Sequence, residues 1–451
     1  MSSALRQPAR GVVRAQAVAP AAALSAVVAG ALLVLLLWWR DTPPIHLFGD
    51  WLTNASRITG LLAGYLIVVL LVLMARVPAL ERGLGADRLV RWHSMGGRYV
   101  VSLAAAHTLL VIWGYAVSAH EGLLPQTGQL LTRYPDVMMA TVALGLLIGV
   151  GVVSARAARR RMRYETWYYL HFYTYLAVAL SFSHTFATGA DFQTNLKARV
   201  FWSALYIGAA ATLLWWRVIV PIRAATRHRM TVAAVVPEGG GVFSVHVAGH
   251  HLRELRTEPG QFFRWRFLSR GQWWQSHPYS LSAPPSDRLL RFTVKVLGDH
   301  SRELRNVRPG TRVFAEGPYG ALTQARRTRR KVLLVAGGIG ITPLRALFET
   351  LPAAAGDLTL VYRAATELDV VFREELRLIA EWRRARVVYQ IGPPGSRRDP
   401  FVGRRLESLV AGVAHHDVYV CGPPGMVCAA TMALRRVGVG RRHIHTESFE
   451  F

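Results

Sequence analysis

Apolar positions along the chain follow two rhythms. Up to about residue 222 they run on in six stretches of roughly 20, near 17–38, 58–77, 94–118, 137–155, 168–188 and 200–220. Each is long enough for a helix to cross a bilayer. After Pro221 the runs shorten and alternate. "FSVHV", "FFRWRF", "LLRFTVKV" and "RVFAEG", separated by turn residues, predict an antiparallel β-barrel of six or so strands. From Lys331 the pattern becomes strand, loop, helix: "KVLLVA GGIGITP LRALFETL", then "DLTLVYRA", a helix, "ARVVYQIG" and "HDVYVCGPPGM". That alternation predicts an open α/β parallel sheet. The expected architecture is a six-helix transmembrane bundle over 1–222, an antiparallel β-barrel over 223–326 and an α/β domain over 327–451.

Charge orients the first part. The chain carries a formal net charge of +27, of which +11 falls in 1–222. Arg6, Arg10 and Arg14 precede the first span. Arg76, Arg82, Arg88 and Arg91 lie between spans 2 and 3, and Arg156, Arg159, Arg160, Arg161 and Arg163 between spans 4 and 5. By the positive-inside rule both termini and the whole second half are expected in the cytoplasm, on a cell membrane protein of several passes. The basic clusters flank spans and no nucleic-acid motif occurs, so the charge is read as attraction to anionic lipid and an anionic cofactor. Span 1 is too long for a signal-peptide core, and no small-residue cleavage site follows it. Two cysteines, Cys421 and Cys428, cannot hold a four-cysteine iron–sulfur cluster or a cysteine-rich zinc site.

Four of the 16 histidines fall inside or at the ends of spans: His93 and His107 on the third, His171 and His184 on the fifth. An ionisable group in hydrocarbon is costly and points to function. The pairs are 14 and 13 residues apart, about 21 and 19.5 Å along a helix. Two odd-numbered spans run in the same direction, so His93 is level with His171 and His107 with His184. Two levels of facing imidazoles would ligate two stacked haems. Fourteen residues return to nearly the same helix face, but thirteen do not, which predicts a π-bulge or tightened turn between His171 and His184. Arg57, opening span 2, and Arg98, inside span 3, are candidates to meet haem propionates; snorkelling to the interface is the alternative for Arg57.

The second half offers phosphate and ring contacts. "GGIGITP" follows a buried strand and opens a helix, with Thr342 read as N-cap and Pro343 as the first helical residue. In "HPYSLSAPP" Tyr279 can stack on a ring while Ser280 offers it a hydroxyl. Gly298 and Ser301 of "VKVLGDHS" are placed for a second phosphate contact, and "CGPPGM" ends a strand where open sheets bind ligands.

Taken in order, these motifs resemble the ferric reductase / NADPH oxidase superfamily, of bacterial type, over nearly all of residues 20–451: the histidines at 14 and 13, "HPYS", "AGGIGITP", "CGPPGM" and the terminal "ESF". The resemblance implies a haem domain fused to a ferredoxin-reductase-type FAD and NAD(P)H module. His93 and His171 would ligate an inner b-type haem, His107 and His184 an outer one. His277, Pro278, Tyr279 and Ser280 would bind FAD, Ser280 near the reactive flavin nitrogen, with Gly298 and Ser301 at the FAD phosphates. Gly338, Gly340 and Thr342 would take the NAD(P)H pyrophosphate, and Arg363 the adenosine ribose or its 2′-phosphate. Cys421 and Gly422 would lie near the nicotinamide. Phe449, with Phe451 as its rival, would shield the flavin. Many soluble relatives carry arginine at the position of His277, a departure at the pyrophosphate contact.

The expected activity is an electron wire: NAD(P)H to FAD, FAD to inner haem, outer haem to an extracytoplasmic acceptor. Oxygen, giving superoxide, leads; a ferric chelate or an extracytoplasmic redox protein are the alternatives. Readings of other kinds are a six-span transporter with a nucleotide-sensing domain and a membrane-anchored flavin reductase with a relict span domain.

Overall fold

The computed structural model describes residues 10–42, 44–155, 161–162, 164–189, 192–193, 195–396 and 399–448. They form two compact units, Ala17–Val218 and the chain from Ile219 onward, the latter grouped with the residues up to Gln16.

The first unit is helical. Its long helices are α1 (Arg10–Asp41), α2 (Phe48–Met74), α4 (Ala86–Ala119), α6 (Val137–Ser154), α7 (Tyr164–Thr188) and α8 (Leu196–Leu214). Two short ones, α3 (Pro78–Leu84) and α5 (Leu123–Arg133), lie in the connections. Asn195 caps α8, its side-chain oxygen accepting from the amides of Lys197 and Ala198. Helix α2 packs along α4, and α6 along α7. Among the described residues five helices are long and apolar enough to cross a membrane. The fifth expected span, α7, is long enough at 25 residues, but its tyrosines, hydroxyls and two histidines lower its hydropathy.

The irregularity expected between His171 and His184 is absent, because α7 is unbroken there. The hydroxyls of Thr174, Ser181 and Thr185 bond back to carbonyls of the preceding turn, an arrangement that bends helices gradually. The π-turn occurs instead at Trp215–Ile219, between α8 and α9 (Val220–His228). Pro221 has no N–H to give the carbonyl one turn back, so the ladder widens there.

In the second unit six antiparallel strands follow: β1 (Thr231–Gly239), β2 (Val242–Ala248), β3 (Phe262–Phe267), β4 (His277–Ser280), β5 (Leu289–Lys295) and β6 (Val313–Tyr319). They form two three-stranded sheets, β1-β2-β5 and β4-β3-β6, where the sequence predicts one barrel. Isolated bridges at Thr231–Arg312 and Leu281–Phe292 join strand ends across the gap. Alternate residues of β3, Phe263, Trp265 and Phe267, are fully buried between the sheets, with Trp265 stacked on Phe292 at 4.6 Å.

The last part is a five-stranded parallel sheet in the order β11-β10-β7-β8-β9. Its strands are β7 (Lys331–Gly337), β8 (Leu358–Ala364), β9 (Arg386–Ile391), β10 (His416–Gly422) and β11 (Ile444–Ser448). Strand β7 feeds two cores. Val332, Leu334 and Ala336 join the helices Ile341–Thr350 and Arg373–Arg383, while Leu333 and Val335 join Pro424–Arg436. A sheet covered on both faces explains its uninterrupted apolar runs. The edge strand β11 was not expected from the polar sequence "HIHTES".

Candidate functional site

The membrane unit brings the four histidines together in two pairs. The rings of His93 (α4) and His171 (α7) lie 6.0 Å apart between centroids, and those of His107 and His184 lie 6.4 Å apart. Pairing in the same order along both helices makes α4 and α7 parallel. The outer pair is held by hydrogen bonds. Nδ1–H of His107 donates to the Ser56 carbonyl at 2.9 Å, and the Ser56 hydroxyl donates to the His107 carbonyl. Nδ1 of His184 lies 3.1 Å from the Thr188 hydroxyl. Bonds at Nδ1 leave the lone pairs on Nε2, the tautomer a metal ligand needs. Gly60 sits one turn from Ser56, and a Cβ there would come within 2.8 Å of His107 Nδ1. The inner pair is held differently. His171 stacks on Trp167 at 5.2 Å and 30°, the indole N–H donates to Ser154, and Nδ1 of His171 is buried without a hydrogen-bond partner.

Arg57 lies beside Ser56 on α2 and donates to Asn54, at the level of the outer pair. Arg98 is not brought to the inner pair: five residues beyond His93 it lies about 140° around α4 and is exposed. Its propionate role therefore finds no support.

On β4, Ser280 is buried and its hydroxyl has no partner, an orphan in the position expected to meet a flavin nitrogen. Tyr279 stacks parallel on Phe292 at 5.3 Å, and burial pushes its phenol well above the usual range. Pro278 sits where it costs no ladder bond, on an edge strand. The His277 ring stacks on His300 at 3.6 Å. Burial, His300 and Arg264 together hold the His277 pKa down to about 3. Ser301 turns inward: its hydroxyl accepts from the amides of Leu297 and Gly298, so it shapes the loop that carries Gly298.

The strand order places a switch point between β7 and β10, where chain direction across the sheet reverses and open sheets form their ligand crevice. Gly338 and Gly340 leave β7 in a 3₁₀ turn, and Cys421 and Gly422 end β10 beside them. A Cβ on Gly340 would run into the Cys421 carbonyl, and Gly338 has φ +51°. Both positions need glycine. The expected cap is corrected: the 3₁₀ turn starts the winding early, Gly340 is the N-cap, and Thr342 is the second helical residue with its hydroxyl on the Ile339 carbonyl. Tyr362 fixes the loop by donating to the Gly338 carbonyl. Arg363 stands at the end of β8 with Nε 3.8 Å from the buried Asp399 carboxylate. Cys421 is fully buried and its thiol is pushed well up, first by burial and then by Glu447. Phe449 and Phe451 lie outside the described residues.

Sequence reasoning missed Ser56, Gly60, Thr188 and Trp167. The small residues four apart in "SRITG" were the available signal, since such pairs let helices approach.

These sites define a membrane-anchored oxidoreductase that uses a flavin and a nicotinamide. Residues 59–182 match the ferric reductase like transmembrane component, 227–323 the FAD-binding domain and 334–431 the oxidoreductase NAD-binding domain. With these three in order, the chain belongs to the ferric reductase / NADPH oxidase superfamily and is an NAD(P)H-dependent oxidoreductase. It is 30% identical over 190 residues to ferredoxin–NADP reductase B of Sorangium cellulosum, covering 38% of this chain and 77% of that protein. It is 27% identical to the ferredoxin–NAD(P)(+) reductase component of the naphthalene 1,2-dioxygenase/salicylate 5-hydroxylase systems of a Ralstonia species, covering 47% and 68%. Among solved structures, the flavohem-like FAD/NAD binding domain of nitric oxide dioxygenase from Vibrio cholerae O1 biovar El Tor aligns with TM-score 0.43 and 24% identity, over 49% of this chain and 98% of that one.

Proposed function

We propose that the chain carries electrons from NAD(P)H through FAD and two bis-histidine b-type haems to a small acceptor across the membrane, oxygen first, with superoxide as product. The observation that carries this is the ring spacing of the two histidine pairs. A metal–nitrogen bond is about 2 Å, and a ring centroid lies roughly 1 Å beyond its nitrogen, so two imidazoles on opposite sides of one metal have centroids about 6 Å apart. The pairs measure 6.0 and 6.4 Å. Among the described residues no group of three or more His, Cys, Asp or Glu could hold a metal. Two histidines are too few for a protein-only metal site. Each pair would hold the iron of a haem, which would supply single-electron transfer.

When bound, FAD converts a two-electron donor into single electrons and haem iron carries them. The chain's own residues position these groups. Ser280 offers a hydroxyl and Tyr279 a ring to the flavin, the Gly338–Gly340 turn presents backbone to the pyrophosphate, and Cys421 and Gly422 line the nicotinamide end. Ser56 and Thr188 fix the outer imidazoles, and Trp167 the inner His171. Arg57, beside Ser56, would pair with an outer propionate. Cytoplasmic termini follow from the arginine pattern, and the short connections 42–47, 120–136 and 189–195 favour a small acceptor on the outer side.

An absorbance spectrum of the detergent-purified protein, taken without oxygen before and after adding NADPH, tests the reading. Flavin bleaching followed by a reduced low-spin haem spectrum at two haems per chain is expected. A colourless protein, or flavin that bleaches with no haem present, overturns it.

A further inference from the structure

The flavin strands and the nucleotide-binding sheet are tied by charges that the cofactor contacts do not use. Arg291 on β5 reaches Glu375, on the helix Arg373–Arg383, with both guanidinium nitrogens at 2.8 and 2.9 Å. The nitrogen at 2.9 Å also donates to the carbonyl of Ser282, two residues beyond Ser280. Arg345 brings its Nε to 2.8 Å from the same carboxylate, an ion pair without hydrogen-bond alignment, and donates to Glu349 from a second guanidinium nitrogen. Arg345 lies on the helix Ile341–Thr350 that leaves the Gly338–Gly340 turn. The two guanidiniums are shielded, with the side chains of Arg291 and Arg345 11% and 10% exposed and Arg291 over the Phe372 ring, while the Glu375 side chain is 32% exposed.

Burial alone would raise the Glu375 carboxyl, but the bonds and charges of the two arginines outweigh it and hold it below the usual range. Two residues either side of Thr293, Arg291 and Lys295 lie on the same face of β5, and Lys295 pairs with Asp369 at 2.8 Å. Gly240, with φ +56°, brings the β1–β2 turn against the Leu368 carbonyl, where a Cβ would not fit. One strand of the flavin lobe is thus fixed to the nucleotide lobe at both ends.

We propose that Glu375 is a positioning residue for hydride transfer. Gripped by Arg291 of the flavin lobe and Arg345 of the nucleotide helix, it sets the spacing between Ser280 with its flavin and the crevice that holds the nicotinamide. Transfer of a hydride needs its two carbons or nitrogens in near contact, and a shift of about 1 Å can cost 100-fold. A carboxylate shared by two buried guanidiniums holds a fixed distance where a single flexible pair does not. This inference rests on the flavin and nicotinamide sites and is independent of the haems.

The test uses the full-length, FAD-loaded protein mixed with NAD(P)H without oxygen in a stopped-flow instrument. Glu375→Gln is expected to slow flavin bleaching roughly 10- to 100-fold. Bound FAD should be unchanged, and 4-deuterated NAD(P)H should give a larger isotope effect. Arg345→Met should slow it too. The double variant should match Glu375→Gln alone, because both remove one coupled unit. Glu374→Gln, on the exposed side of the same helix, should match wild type. If Glu375→Gln bleaches at the wild-type rate, or if its rate falls only in proportion to lost FAD, the proposal is overturned. Should Glu375→Gln fail to fold, Arg345→Lys keeps the charge but loses the fork geometry, and a wild-type rate there overturns the proposal equally. Wild-type protein that binds no FAD, or does not bleach, would refute the flavin reading itself.

Discussion

The membrane unit and the nucleotide lobe hold their chemistry by opposite means. In α4 and α7 the backbone is spent on forming the helices, as hydrocarbon demands, so in the proposed reading the four histidine side chains would carry the chemistry. In the crevice between β7 and β10 the side chains are small or absent, and the backbone of Gly338–Gly340 and Cys421–Gly422 forms the surface. The first kind of site fails when a side chain is lost. The second fails when one is added.

The largest expected effect comes from breaking the first kind. His107→Leu or His184→Leu should halve the haem content to one per chain and abolish transmembrane electron output, while NADPH still bleaches the flavin. Haem-to-protein ratio and flavin absorbance read the two separately, and two retained haems would end the pairing argument. Next is the addition of a side chain. Gly340→Ala drives a methyl into the Cys421 carbonyl. Overpacking costs about 1–3 kcal/mol, so KM for NAD(P)H should rise roughly 10- to 100-fold with FAD content retained.

Between the two lies the orphan hydroxyl. Ser280→Ala removes one hydrogen bond worth about 1 kcal/mol, which should slow anaerobic flavin reduction several-fold at unchanged NAD(P)H affinity. A further effect concerns pH and acts on stability, not on turnover. His277 has its folded pKa held near 3, against about 6.5 unfolded. The unfolded chain takes up that proton first, so this residue's contribution is present above about pH 6.5 and is lost as pH falls toward 3. FAD-free His277→Gln should show a flatter melting temperature over that window than FAD-free wild type. Smallest is Ser56→Ala. The Ser56 carbonyl still accepts from His107, so both haems should remain, with only a shifted outer-haem midpoint potential in a redox titration.

The sequence exposed side-chain sites better than it exposed their supports. Histidines stand out in apolar runs because nothing else explains their cost, so their positions and pairing order could be read directly. The π-turn expected between His171 and His184 lies instead at Trp215–Ile219, while α7 runs unbroken with Thr174, Ser181 and Thr185 bonded back to its carbonyls. For Arg98 the sequence gives depth in the span, whereas its azimuth on α4, about 140° from His93, shows only once the helix is drawn. Thr342 looked like a cap, yet the glycines before it could already wind. Strand β11 carries no apolar alternation, since its parallel pairing with β10 is set by the fold around it. Ser56 and Trp167 are ordinary span residues until a histidine is found against them.

Cys421 has a consequence for handling the protein. Its thiol is sealed in the sheet and disfavoured from ionising, and thiolate is the form that reacts with alkylating reagents and peroxide. Cys428, a few residues on, is exposed. Maleimide labelling of the native protein should therefore stop at one adduct per chain, on Cys428. A fluorophore placed there leaves the crevice thiol untouched, so the same molecule can be tracked in a membrane and still be asked to turn over.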